Sequence, residues 1–88
     1  MSPSVPNPTR SATTFRFELA QTEIADLAIY DLGGRRVAQI AHGPMAAGAH
    51  SVQWDGKDAG GRVAAAGVYR CRLRTPSFTD SRPVVLVR

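Results

Sequence analysis

The chain reads as an all-β fold, an antiparallel sandwich of about seven short strands. Three observations carry this reading. Apolar and polar residues alternate in several short runs, as they do in strands with one buried and one wet face. Turn-forming residues interrupt these runs about every 10 positions, which leaves no stretch for a long amphipathic helix; the chain holds 8 Gly and 6 Pro among its 88 residues. A chain of this size buries only roughly 60–65% of the surface its unfolded form exposes. One apolar layer between two sheets suits that limit and suits the 3 Phe, 2 Tyr and 1 Trp available to fill it.

In chain order, residues 1–12 are rich in Pro and Ser and show no periodicity. They lack the apolar core and small-residue cleavage site of a signal peptide, so they read as a linker ahead of a domain over residues 13–88. A leading linker makes the chain look like the C-terminal piece of something longer. In residues 13–19, Phe15, Phe17 and Leu19 alternate with Arg16 and Glu18, giving a first strand. Residues 25–31 make a second, with Leu27 and Ile29 facing the core. Asp31, Leu32, Gly33, Gly34 and Arg35 supply a tight hairpin turn, and residues 36–41 return as its partner. Val37 and Ile40 stand three apart and break the period of two, which predicts a bulge or an edge position. Residues 42–48, with Pro44 and two glycines, read as a loop. Residues 49–54 form a strand with Val52 and Trp54 inward. A polar, glycine-rich reversal follows, residues 62–64 pair briefly as a short seventh strand, and Gly67 launches a strand whose Tyr69, Cys71 and Leu73 share one face. Residues 75–80 turn the chain again. Residues 84–87 are apolar at every position, so alternation does not say which side faces in; an edge where a partner strand adds is one explanation. Strand number and spacing match an Ig-like, fibronectin III-like sandwich without its disulfide.

Cys71 is the only cysteine, which excludes an intrachain disulfide. In mid-strand it reads as a small core hydrophobe. The net charge is +4 with pI ≈ 10.2, and Lys57 is the one lysine. Such a balance favours acidic partners. Arg70, Arg72 and Arg74, however, alternate with core residues as the wet face of a strand does. No aromatic is free to stack bases, so nucleic acid is not expected as a partner. No run of 18 apolar residues exists to span a membrane.

Catalytic and cofactor residues are not expected. Asp55 and Asp58 resemble the acidic half of a calcium loop, yet residues 59–66 bring no further acid or amide. The competing reading has both carboxylates holding the reversal through backbone N–H groups. His42 and His50 stand at no ligand-like spacing. No nucleophile elbow places a serine, and the paired glycines begin no helix that could cradle a phosphate. A single thin sandwich also rarely encloses the deep pocket an enzyme needs.

The ordered series of motifs resembles a known family. Pro6, Asn7 and Pro8 precede the Thr13 to Phe17 strand. Ile29, Tyr30, Asp31, Leu32, Gly33, Gly34 and Arg35 follow, then Gly48 and Ala49 leading to Trp54, Asp55 and Gly56, then Gly67, Val68 and Tyr69. Together they resemble the Ig-like domain of the flagellar hook-capping protein and the C-terminal sorting domains of type IX secretion, which share one plan. The resemblance implies an Ig-like C-terminal module of an exported or flagellar bacterial protein. Such a module is extracytoplasmic, non-catalytic and free of cofactors, and it serves in sorting, anchoring or assembly through contacts with export or attachment machinery and with the parent polypeptide upstream. It also implies a candidate recognition surface at Gly67, Tyr69, Arg82 and Arg88, where the family's sorting motifs stand. Arg82 and Pro83 occupy positions where sorting domains usually carry lysines. An accessory sandwich that binds carbohydrate or calcium through Asp55 and Asp58 is the alternative.

Overall fold

A computed structural model describes residues 1–87. Six strands run in chain order: β1 (Thr13–Leu19), β2 (Glu23–Asp31), β3 (Arg36–Met45), β4 (Gly48–Trp54), β5 (Gly67–Arg74) and β6 (Thr79–Leu86). They form two antiparallel sheets, one of order β1-β4 and one of order β3-β2-β5-β6. The fold is therefore the all-β sandwich predicted from alternation. The expected short seventh strand reduces to one bridge, Lys57 with Val63.

The two inner faces meet in a single apolar layer. Phe15, Leu27, Ile29, Cys71, Leu73 and Val84 are fully buried, and Trp54 and Leu86 are 1% exposed. Those of β1, β2, β4 and β5 lie on the face that their strand's alternation assigned. Trp54 meets Tyr69 edge-on, with ring centroids 5.4 Å apart, and its indole N–H donates to the Lys57 carbonyl at 2.9 Å. A buried indole needs such a partner, so the turn after β4 is fixed to the core through Trp54. In β6, Val84 and Leu86 point inward, which resolves the doubly apolar tail.

β3 carries the irregularity expected of it. Leu27 pairs with Ala41 and Ala28 with Gln39, skipping Ile40; Ile29 pairs with Ala38 and Tyr30 with Arg36, skipping Val37. Both period-breaking residues are thus bulges, on a strand that is also a sheet edge. The reading of residues 42–48 as a loop needs correction. β3 continues to Met45 and β4 starts at Gly48, so only Ala46 and Ala47 lie between them. An edge strand tolerates Pro44 because a missing N–H on the outer side breaks no ladder bond.

Residues 1–12, expected as a linker, lie along one side of the sandwich. Val5 exchanges backbone hydrogen bonds with Thr14 on β1, at 3.1 and 3.0 Å. Thr9 donates to the Val85 carbonyl and accepts from the Val87 N–H, both at 2.8 Å, in a parallel bridge to β6. The Asn7 amide adds bonds to Pro83 and Val85. This strap joins the outer edges of both sheets, so the part of the β6 edge at Val85 and Val87 is already paired within the chain. On the opposite side, β3 and β4 flank an open cleft of about 650 Å³ lined in part by Arg36, Ile40, Trp54 and Lys57.

Candidate functional site

Two turns of one design meet at the end of the molecule near this cleft. Asp31, Leu32, Gly33, Gly34 and Arg35 repeat as Asp58, Ala59, Gly60, Gly61 and Arg62. In each, the aspartate N–H donates to the arginine carbonyl, at 3.0 and 2.8 Å, and the second glycine's N–H returns to the aspartate carbonyl at 3.0 Å. Those glycines, Gly34 and Gly61, have φ of 84° and 80°, the left-handed conformation that closes the turn. The aspartate carboxylate accepts the arginine backbone N–H, at 2.9 Å for Asp31 and 3.0 Å for Asp58. That hydrogen bond, aided by the Arg35 guanidinium, holds the Asp31 carboxyl below the usual carboxylate range. The second turn is tied to β3 just past the first, where the Ala59 N–H donates to the Val37 carbonyl at 2.9 Å.

The carboxylates proposed as half of a calcium loop are engaged in this scaffolding. Asp55 accepts the Lys57 N–H at 2.9 Å, and Asp58 accepts the N–H groups of Gly60 and Arg62. Among the described residues no three His, Cys, Asp or Glu side chains gather closely enough to hold a metal ion. His50 stacks on Phe17 at 5.4 Å, and His42 lies 3.7 Å from Asp26. Cys71 is buried, and burial pushes its thiol pKa up to about 12, which removes it as a nucleophile near neutral pH.

Of the residues proposed as a recognition surface, Gly67, Tyr69 and Arg82 lie within β5 and β6 in different settings. Gly67 is exposed at the start of β5, opposite Leu86. Tyr69 is a core residue, 7% exposed, whose hydroxyl donates to the Ala65 carbonyl. Arg82 takes the inner-face register opposite Cys71 and pairs with Asp80 at 2.7 Å. Asp80 also receives the Met1 ammonium at 2.7 Å, and this hydrogen bond lowers its pKa. Arg88 lies outside the described residues.

What the sequence did not show is how the outer face of the four-stranded sheet groups its side chains. Arg70, Arg72 and Arg74 project from it along β5, as the wet-face reading implied. The Arg72 guanidinium lies 4.4 Å over the Tyr30 ring and donates to its hydroxyl at 2.6 Å; Arg70 donates to Ser81 at 3.1 Å. Alternation showed which way each side chain points, but only the pairing of β2, β3 and β5 brings these side chains together.

Comparison with known proteins agrees with this architecture. No curated protein sequence matches the chain. Among solved structures it is similar to PorZ of Porphyromonas gingivalis, described as an essential bacterial surface component of the type IX secretion system, with TM-score 0.69 and 21% identity over 97% of this chain. It is also similar to latent dimeric PorU of the same organism, with TM-score 0.64 and 25% identity over 96% of this chain. The chain spans only 11% of PorZ and 9% of PorU. The model of the FlgD Ig-like domain matches residues 3–77, most of the strap and the sandwich through β5, and the chain belongs to that family.

Proposed function

We propose that this chain is a non-catalytic Ig-like module of an exported or flagellar bacterial protein, and that it works through protein contacts in sorting, anchoring or assembly outside the cytoplasm. The observation that carries the reading is the family match over residues 3–77. The fate of the ionisable side chains supports it: Asp31, Asp55 and Asp58 hold turns, Asp80 and Arg82 pair with each other, and the Cys71 thiol is held protonated in the core. A sandwich spent in this way offers outer faces and edges to a partner. Gly67, Tyr69, Arg82 and Arg88 remain the proposed recognition residues, with Tyr69 fixing the start of β5 from the core.

The test is a fusion of residues 1–88 to the C-terminus of a periplasmic reporter in a host with type IX secretion. Surface display or release that depends on the fused domain is the expected result. A reporter that stays in the periplasm with the domain folded refutes a sorting role. Pull-down of the parent protein's own assembly partners then distinguishes anchoring from a passive spacer.

A further inference from the structure

The outer face of the four-stranded sheet concentrates most of the chain's excess positive charge. Strand register places Arg36, Tyr30 and Arg70 side by side across β3, β2 and β5, with Arg72 and Arg74 following at alternate positions of β5. Among the described residues, Asp26, across from Arg74, is the one carboxylate that points outward on this face. Asp26 is engaged by the Gln39 amide at 2.7 Å and lies near His42. Among the described residues, none of the four arginines pairs with a carboxylate.

Two of the arginines are already ordered. Arg72 is held by the ring and hydroxyl of Tyr30 and Arg70 by Ser81. Ala28 also points outward, opposite Arg72, yet it is fully buried. The longer side chains around it therefore lie along the sheet and make a platform. An arginine whose guanidinium is already positioned loses less freedom on meeting a carboxylate, and its remaining N–H donors stay available for a two-pronged bond.

We infer that this face docks an acidic extended segment of a partner protein, one with Asp or Glu at every second residue. This rests on the reading of the domain as a protein-contact module. The spacing supplies the match: alternate residues of a strand recur about every 6.4–6.8 Å, so carboxylates alternating along an extended peptide keep step with Arg70, Arg72 and Arg74. Polypeptide fits better than single-stranded nucleic acid, because the one aromatic ring on the platform is covered by Arg72 and cannot stack a base.

The test uses the 88-residue chain and a fluorescein-labelled 12-residue peptide of alternating Glu and Thr, followed by anisotropy at about 50 and 150 mM NaCl. Three competitors are run beside it: a peptide of the same composition with its glutamates in one block, a single-stranded oligonucleotide, and alginate. The alternating peptide is expected to bind most tightly and to weaken with salt. Arg70→Gln with Arg74→Gln should weaken it at least ~10-fold. Arg16→Gln with Lys57→Gln, which removes equal charge elsewhere, should change it less than ~3-fold. Circular dichroism confirms that both doubly substituted chains keep the fold. No binding, equal binding of the block peptide, tighter binding of oligonucleotide or alginate, or equal loss in the two substituted chains overturns the inference. A flat peptide titration beside a reporter still displayed removes this role for the face alone. Peptide binding intact beside a periplasmic reporter removes the sorting role alone.

Discussion

Gly56→Ala tests how closely the strap is fitted to the sandwich. Gly56 has φ of +79°, and a Cβ built on it would lie 2.7 Å from the Ser11 carbonyl oxygen, closer than real Cβ atoms come. Two costs therefore add. A left-handed backbone costs a non-glycine residue about 1–2 kcal/mol. Forcing the strap backbone away adds about 1–3 kcal/mol, as overpacking does elsewhere. Gly61 provides the control, because its φ is +80° and a Cβ there meets nothing within 4 Å. Gly61→Ala should lose only the first amount, and Gly56→Ala about 2–5 kcal/mol in total, out of the roughly 5–15 kcal/mol that holds a domain of this kind together. Urea unfolding followed by the fluorescence of Trp54, the single tryptophan, measures both. Hydrogen exchange locates the damage: the Thr9 amide, bonded to the Val85 carbonyl, should exchange faster in Gly56→Ala and not in Gly61→Ala. Equal destabilisation by the two substitutions, or an unchanged Thr9 amide, would refute the claim that the strap is packed against this turn.

Other expectations follow from single contacts. Phe15→Ala should cost about 3–5 kcal/mol, read from the urea midpoint, because it empties a fully buried site between the sheets. Cys71 should resist Ellman's reagent at about pH 8 in the native state and react at once in denaturant, since its thiol pKa is about 12 and it is fully buried. Tyr69→Phe should cost about 0.5–1.5 kcal/mol by leaving the Ala65 carbonyl without its donor. Asp31 has a lowered folded pKa, so its contribution is whole above the ordinary value of 3.8 and is lost as the pH falls through the lower folded value. The urea midpoints of Asp31→Ala and the parent chain should accordingly differ at about pH 7 and draw together near about pH 2.

Legibility in the sequence followed how each residue is read by its neighbours. Phe15, Phe17 and Leu19, or Tyr69, Cys71 and Leu73, sit in clean alternation, so the face they bury can be seen without coordinates. Val37 and Ile40 announced their bulges by breaking that period. Pro44 and Gly43 misled because breakers signal a loop only where the ladder needs every donor, and β3 is an edge. Val5 and Thr9 gave no signal, since each joins the sheets at isolated points and such pairing leaves no periodic trace. The paired turns were legible as turns from their glycines. Their closeness, and the grouping of Arg36, Tyr30 and Arg70, depend on strand register, which a single sequence does not fix when several registers bury the same face.

The parallel bridge between Thr9 and β6 bears on how the domain withstands mechanical load. In a parallel pair the entering and leaving chain depart from opposite ends, so tension applied to the two termini slides the segments past each other in shear. The bonds of Asn7 and Thr9 to residues 83–87 must then yield together, whereas an antiparallel pair pulled from the same end unzips one bond at a time. A short clasp of this kind should therefore part from β6 in one cooperative step, not bond by bond, when the two ends are drawn apart.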